Sequence, residues 1–298
     1  MSFNQHKYLS TFALLITKNN VIMENHNIQE NVKIGYADIV KRNTKKSIIP
    51  NLFKCCDPKE MANDIGKKIG YSEEELKNVP QDANLGIGCG NPTALASIKK
   101  GETVLDLGSG AGFDCFLASK ETGATGKVIG VDITPEMVTQ AKKNAEKGNY
   151  RNIEFKVGAI ENLPIENDSI DLIISNCVIN LSNQKEKVFE EAYRVAKPNG
   201  RIMISDIILL NDLPEYVKSS VEGHIACLAG AVRKEHYLDA IGKAGFTDIR
   251  IDKQVPFPIE LMLNDPIAVK IVRENALEDE DIKKIAASIA SISISAKK

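Results

Sequence analysis

The sequence predicts an α/β fold built on a parallel sheet covered by helices on both faces. Two observations carry this. From residue 103 onward, short continuous apolar runs alternate with helix-length segments, and strands of that kind belong to a sheet buried on both sides. The first run ends in a glycine-rich turn, DLGSGAG (106–112), from which the chain enters a helix.

The elements follow in order. TVLDLG (103–108) is the first strand and residues 113–121 the helix after it. KVIGVDI (127–133) is the second strand, and Pro135 suits the first turn of a helix running to about Lys147. IEFKVGA (153–159) and IDLIISN (170–176) are the next strands. A helix over 185–196 stops at KPNG, and RIMISDII (201–208) is the fifth strand. An insertion carrying Cys227 follows residue 210, then a helix over 234–244. DIRIDKQ (248–254) and SISISA (291–296) alternate apolar and polar residues and can pair as an antiparallel edge, with a helical insertion at 258–289 between them.

Upstream, residues 32–42 read as an amphipathic helix, and 43–58 as a connection carrying the adjacent Cys55 and Cys56. Ser72 three residues before Glu75 is a capping-box signature. NLGIGCGNP (84–92) lets the backbone turn sharply and approach a ligand. Residues 1–22 differ from the rest and read as a mobile tail, or Met23 as the true start. Four regions result: a tail (1–31), a helical cysteine-bearing segment (32–100), a core (101–209), and a segment with an insertion, last strands and helices (210–298).

A net charge of −2 supplies no field for nucleic acid or an anionic membrane, and neither is expected as a partner. The apolar run Phe12 to Ile16 is too short to span a bilayer or to form a secretory core, so a cytoplasmic protein is expected. Thiols there stay reduced. The six cysteines are therefore read as thiols, catalytic or ligating, and without a C-x-x-C pair a structural zinc site is not expected.

The turn DLGSGAG places Gly108, Gly110 and Gly112 after the strand-end Asp106, with backbone amides facing a ligand. Phe113 stands where a dinucleotide fingerprint requires glycine or alanine, and no Lys-Ser/Thr follows, which excludes a P-loop. The pattern resembles motif I of class I S-adenosylmethionine methyltransferases. That resemblance implies S-adenosylmethionine as cofactor. Asp132, ending the second strand, accepts from the ribose hydroxyls, although it also reads as a helix N-terminal acid. Ile133 and Met137 line the adenine side, Ile160 and Glu161 hold the ring and its amino group, and Asn176 ends the fourth strand at the same crevice.

Cys177 follows Asn176, Cys89 lies just before the first strand, and Cys227 lies where an insertion can cover the site. Each alone is most often a small buried hydrophobe. With NLGIGCGNP, DLGSGAGFDCFLAS, GVDITPEMV, ISNCVINLS, EAYRVAKPNGRIMISDI and CLAGA, the chain from about Val32 to Lys297 resembles the arsenite methyltransferase family. The resemblance implies a class I methyltransferase (Rossmann-like) sheet of seven strands, the last antiparallel. It also implies that Cys89, Cys177 and Cys227 bind arsenite or methylarsenite, and that Cys55 or Cys56 serves as an upstream redox cysteine regenerated by a thiol reductant of glutathione or thioredoxin type. Soft trivalent arsenic prefers thiolate sulfur, and its lone pair is the nucleophile, so no general base is needed. Ala226 stands where some relatives carry glutamate, Cys115 is read as packing, and His224 as a surface residue. A methyltransferase of a small organic molecule and a non-catalytic metalloid-binding protein are the alternatives.

Overall fold

The computed structural model describes residues 28–44, 58–218, 228, 230–257, 272–273 and 276–298. Its centre is a seven-stranded sheet in the order β3-β2-β1-β4-β5-β7-β6. The strands are β1 (Thr103–Leu107), β2 (Lys127–Asp132), β3 (Ile153–Val157), β4 (Ile170–Asn176), β5 (Ala196–Leu209), β6 (Thr247–Pro256) and β7 (Ile289–Lys297). β1 to β5 pair in parallel, and β7 runs antiparallel to both β5 and β6. The chain order reverses between β1 and β4, and ligands of such sheets sit in the crevice beyond the carboxyl ends of the strands at that point.

Both faces are filled. One apolar cluster joins Leu105, Ile173, Phe189, Ile204 and Tyr237, and the other joins Val104, Phe116, Val128, Leu172 and Met203. Neighbouring residues of one strand divide between the two, as strand alternation requires. The helix Pro135–Lys147 opens on Pro135 and closes at Gly148, and Ser72 and Glu75 form the reciprocal capping box that their spacing predicts.

Two elements depart from expectation. The ladder of β5 starts at Ala196, and the KPN turn is accommodated as an irregularity opposite Ile170 and Leu172. The short helix Pro92–Leu95, with Asn91 as its cap, starts at the last residue of the glycine-rich stretch, where no helix is expected. The expected antiparallel edge is present: β7 inserts between β5 and β6, and β6 is the outer strand. Two serines of SISISA are buried: Ser293 pairs with Ser205 (Oγ–Oγ 3.2 Å) and Ser291 Oγ donates to the carbonyl of Cys89 at 2.6 Å. Period-two polarity here marks hydrogen-bonded core positions rather than a wet face. Of the helical insertion at 258–289, the described residues form the helix Asp279–Ala287.

Candidate active site

One cavity opens at the carboxyl ends of β1, β2 and β4. The turn after β1 forms its floor. Gly108, Gly110 and Gly112 have φ of 67°, 52° and 95°, a left-handed region that favours glycine. A side chain at Gly108 would also meet Val178 Cγ2 at 2.2 Å. The amides of Gly108 and Ser109 donate to the Val131 carbonyl, tying the turn to β2. Gly110 N donates to Asp132 Oδ2 at 2.9 Å, and Thr134 N to Oδ1 at 2.8 Å.

Asp132 therefore fastens two loops, and also accepts from the Thr134 hydroxyl, while still lining the cavity. Burial pushes its carboxyl up, opposed by those two amides and by the Thr134 hydroxyl. Gly108, Gly110, Asp106, Asp132, Ile133, Ile160, Glu161 and Asn176 all line the cavity. Gly112 and Met137 do not. Gly112 caps the helix Phe113–Thr122 against Phe116 and Phe155, and Met137 is fully buried with its sulfur 3.9 Å from where a Gly110 Cβ would lie. Glu161 accepts a short hydrogen bond from Ser182. A glycine turn in left-handed conformation, without room for side chains at Gly108 and Gly112 and flanked by the carboxylates of Asp132 and Glu161, fits S-adenosylmethionine.

The opposite wall is a buried polar network centred on Asn176. Its Nδ2 faces Tyr71 Oη (2.9 Å), the Gly90 carbonyl (2.9 Å) and Asp114 Oδ2 (3.2 Å). Its Oδ1 accepts from Cys89 N at 3.0 Å. Tyr71 donates in turn to Asp114 Oδ1 at 2.6 Å. Burial raises the Asp114 carboxyl to about 6 against the hydrogen bonds that lower it, and burial also pushes Tyr71 up. Asn176 thus does more than end a strand: it clamps the loop that carries Cys89.

Cys89 is held from three sides. Asn176 takes its amide, Ser291 its carbonyl, and Gly90 packs on Ser205, where a Cβ would approach within 2.7 Å. Cys177 has φ +60°, rare for a residue with a Cβ, and its amide donates to the Ser205 carbonyl at 2.8 Å. That turn directs the thiol off the sheet, and Cys177 lines the cavity. The sulfurs of Cys89 and Cys177 and a carboxylate oxygen of Asp206 lie within 4.8 Å of one another. Asp206 is fully buried on β5, its carboxyl pushed up to about 6 by burial. Cys115 stands apart, its thiol donating to Asp106 at 3.2 Å; burial and that carboxylate push it well up, so it stays protonated.

Cys55, Cys56, Cys227 and His224 lie outside the described residues. Leu228 is buried with Cys89, lines the cavity, and belongs to the apolar cluster on which Cys177 packs. Gly230 sits on the Asn180 backbone, where a Cβ would meet the carbonyl oxygen at 1.9 Å. Tyr71, Asp114, Asp206 and Ser291 have no motif of their own. Two of them, Asp114 and Asp206, are acids in otherwise apolar stretches, GFDCF and ISDII, which is the one signal that marks them.

A model of a methyltransferase domain matches residues 98–245. The crystal structure of an arsenic(III) S-adenosylmethionine methyltransferase from Chlamydomonas reinhardtii is 32% identical, with a TM-score of 0.56, covering 81% of this chain and 74% of that one. The chain belongs to the arsenite methyltransferase family. An arsenite methyltransferase of Halobacterium salinarum is 44% identical over 66% of this chain and 50% of its own length, and that of Homo sapiens is 33% identical over 75% and 59%. The chain spans half to three-fifths of the length of these two curated relatives. Arsenite methyltransferases are class I enzymes, and the mixed seven-stranded sheet with its antiparallel β7 is that fold. Among the described residues no helix is long and apolar enough to cross a membrane.

Proposed function

We propose that this chain methylates trivalent arsenic, held by the thiolates of Cys89, Cys177 and Cys227, with S-adenosylmethionine as methyl donor. The observation that carries the reading is Cys177: a strained residue at the end of β4 whose thiol lines the same cavity as Gly108, Gly110 and Asp132, with the Cys89 sulfur beside it.

When bound, S-adenosylmethionine supplies an electrophilic methyl group. Gly108, Gly110, Asp132 and Glu161 seat it on the floor of the cavity. The wall offers sulfur. As arsenite exchanges onto Cys89 and Cys177, each S–H proton leaves with an arsenic hydroxyl as water, and an As–S bond replaces As–O. Two fixed sulfurs orient the arsenic lone pair toward the cavity, which turns a bimolecular collision into a positioned displacement. The nucleophile carries no proton, so the wall needs no base. The buried Tyr71, Asp114 and Asn176 position Cys89 rather than move protons.

Methylation leaves arsenic pentavalent, and two electrons must return it to the trivalent state. Cys55 or Cys56 would supply them by forming a disulfide with Cys89, which a glutathione- or thioredoxin-type thiol then reduces. The test is to incubate the protein with labelled S-adenosylmethionine, arsenite and a thiol. Labelled methylarsenic species are expected, and their absence from a folded, cofactor-binding protein overturns the proposal.

A further inference from the structure

We propose that Cys89, Cys177 and Asp206 form a binding site for a thiophilic divalent cation, of the zinc or cadmium class. The three donor atoms lie within 4.8 Å of one another. A tetrahedral ion with bonds of about 2.3 Å to sulfur and about 2.0 Å to oxygen needs its ligands roughly 3.5–3.8 Å apart. Closing that gap takes about 1 Å, within the reach of a change of side-chain rotamer at the half-buried Cys177 while its backbone stays in place.

The carboxylate is prepared for the role. Asp206 Oδ1 accepts from Asn180 Nδ2 and from Ile207 N, both at 2.9 Å, while among the described residues Oδ2 accepts only from Tyr237 Oη, at 2.9 Å. Each carboxylate oxygen carries two lone pairs, so Oδ2 keeps one for an ion. Such outer donors are what orient a ligating carboxylate. Asn180 and Tyr237 are themselves buried, so the carboxylate cannot swing away to solvent. Two thiolates and one carboxylate carry three negative charges; a dication reduces that to one, and the cavity side of Cys177 leaves the fourth position for water. Binding releases the two thiol protons to solvent, with no change in oxidation state.

The donor set differs from the all-sulfur set proposed for arsenic, because the third atom is an oxygen on the rigid β5. It therefore stands without methyl transfer. Its consequence is that such ions compete with arsenite for Cys89 and Cys177.

The test titrates cadmium into reduced protein and follows ultraviolet charge-transfer absorption, proton release and cadmium NMR. A variant with Cys55, Cys56 and Cys227 all replaced by serine is titrated in parallel. One tight equivalent, two protons released and a two-sulfur signature are expected in both. Cys177→Ser and Asp206→Asn should each weaken binding at least about tenfold, and Tyr237→Phe by roughly tenfold through loss of an outer donor. If Asp206→Asn fails to fold, the NMR signature decides: a three-sulfur site in the wild type, lost in the triple variant, overturns the proposal, as does Asp206→Asn binding with undiminished affinity. A protein that methylates arsenite but binds no cadmium also overturns it, whereas one inactive on arsenite that binds cadmium through these three residues supports it.

Discussion

Replacing Asn176 with alanine removes the amide on which the sulfur-bearing loop is hung. The Cys89 N–H loses its acceptor, the Gly90 carbonyl loses its donor, and Asp114 loses one of the two groups that hold it ionised. A buried group left unpaired costs about 1–3 kcal/mol. Tyr71 still donates to Asp114, and the Ser291 bond to the Cys89 carbonyl survives, so the losses do not sum in full. An overall destabilisation of about 2–4 kcal/mol is expected from urea melts. The more specific consequence is local. Cys89 is only 4% exposed, so a thiol reagent reaches it only when the loop opens. If about 2 kcal/mol of the cost falls on loop closure, the open population rises roughly thirtyfold, at tenfold per 1.4 kcal/mol. Timed alkylation read by mass spectrometry should show that acceleration at Cys89. Ser291→Ala, which removes one bond worth about 1 kcal/mol, should accelerate it about fivefold. Cys115, on the far side of the network, should keep its slow rate in both variants. Unchanged Cys89 labelling in Asn176→Ala, or equal acceleration at Cys115, would refute the clamp.

Four further outcomes are expected. Asp132→Ala should weaken S-adenosylmethionine binding by about 1–3 kcal/mol in calorimetry, and unchanged affinity would remove Asp132 from the cofactor site. Cys177→Ser and Cys227→Ser should each abolish arsenic methylation with cofactor affinity nearly intact, because serine is a poor ligand for a soft centre; Cys115→Ser should be nearly neutral, and equal activity in all three would sink the arsenic reading. Substituting Cys55 and Cys56 together should spare cofactor binding but impair repeated turnover from inorganic arsenite, and an unchanged multiple-turnover rate would exclude their redox role. For Asp114, the folded-state pKa of about 6 lies above the ordinary 3.8, so the native state binds more protons between these values and stability falls as pH rises through that window. Asp114→Asn should flatten the pH dependence of the urea midpoint between about 4 and 6, and an unaltered slope would show that the carboxyl is not held protonated there.

The legible parts of this molecule are those in which one local rule decides. The apolar runs of β1 to β5, Pro135 at the start of its helix and Ser72 with Glu75 all read directly from sequence, because each depends on neighbours within one turn or one strand. The glycine turn was equally readable, since a positive φ leaves few residue types to choose from. What sequence did not reveal are pairings between distant segments. Tyr71, Asp114 and Asn176 meet from positions separated by up to 105 residues, and Ser291 meets Cys89 across 202. No periodicity records such a meeting. SISISA pairs with β6 as its alternation suggests, but alternation shows only which side chains share a face, not that a second segment supplies the hydrogen bonds that let Ser291 and Ser293 be buried. Met137 and Gly112 were near misses, right in segment but one layer too deep, since a helix presents only one side to the crevice.

The costs in this fold are concentrated at one end of the sheet. Cys177 occupies a left-handed backbone, Asp106, Asp114 and Asp206 are buried carboxylates, and the four lie around the cavity or its sulfur pair. A left-handed non-glycine residue costs on the order of 1–3 kcal/mol, and an isolated buried charge costs more unless it is hydrogen-bonded. Among the described residues the amino-terminal ends of the same strands carry no such cluster; there Glu102 and Asp171 meet Arg201 and Lys197 in ion pairs that lower the two carboxyl pKa values against burial. A strand residue free to choose would place glycine at position 177 and relieve the backbone, but glycine has no thiol. On the proposed arsenic-binding role of Cys177, the strain persists because that role needs a sulfur at the end of β4, and the two apolar layers beneath it hold the chain in that shape.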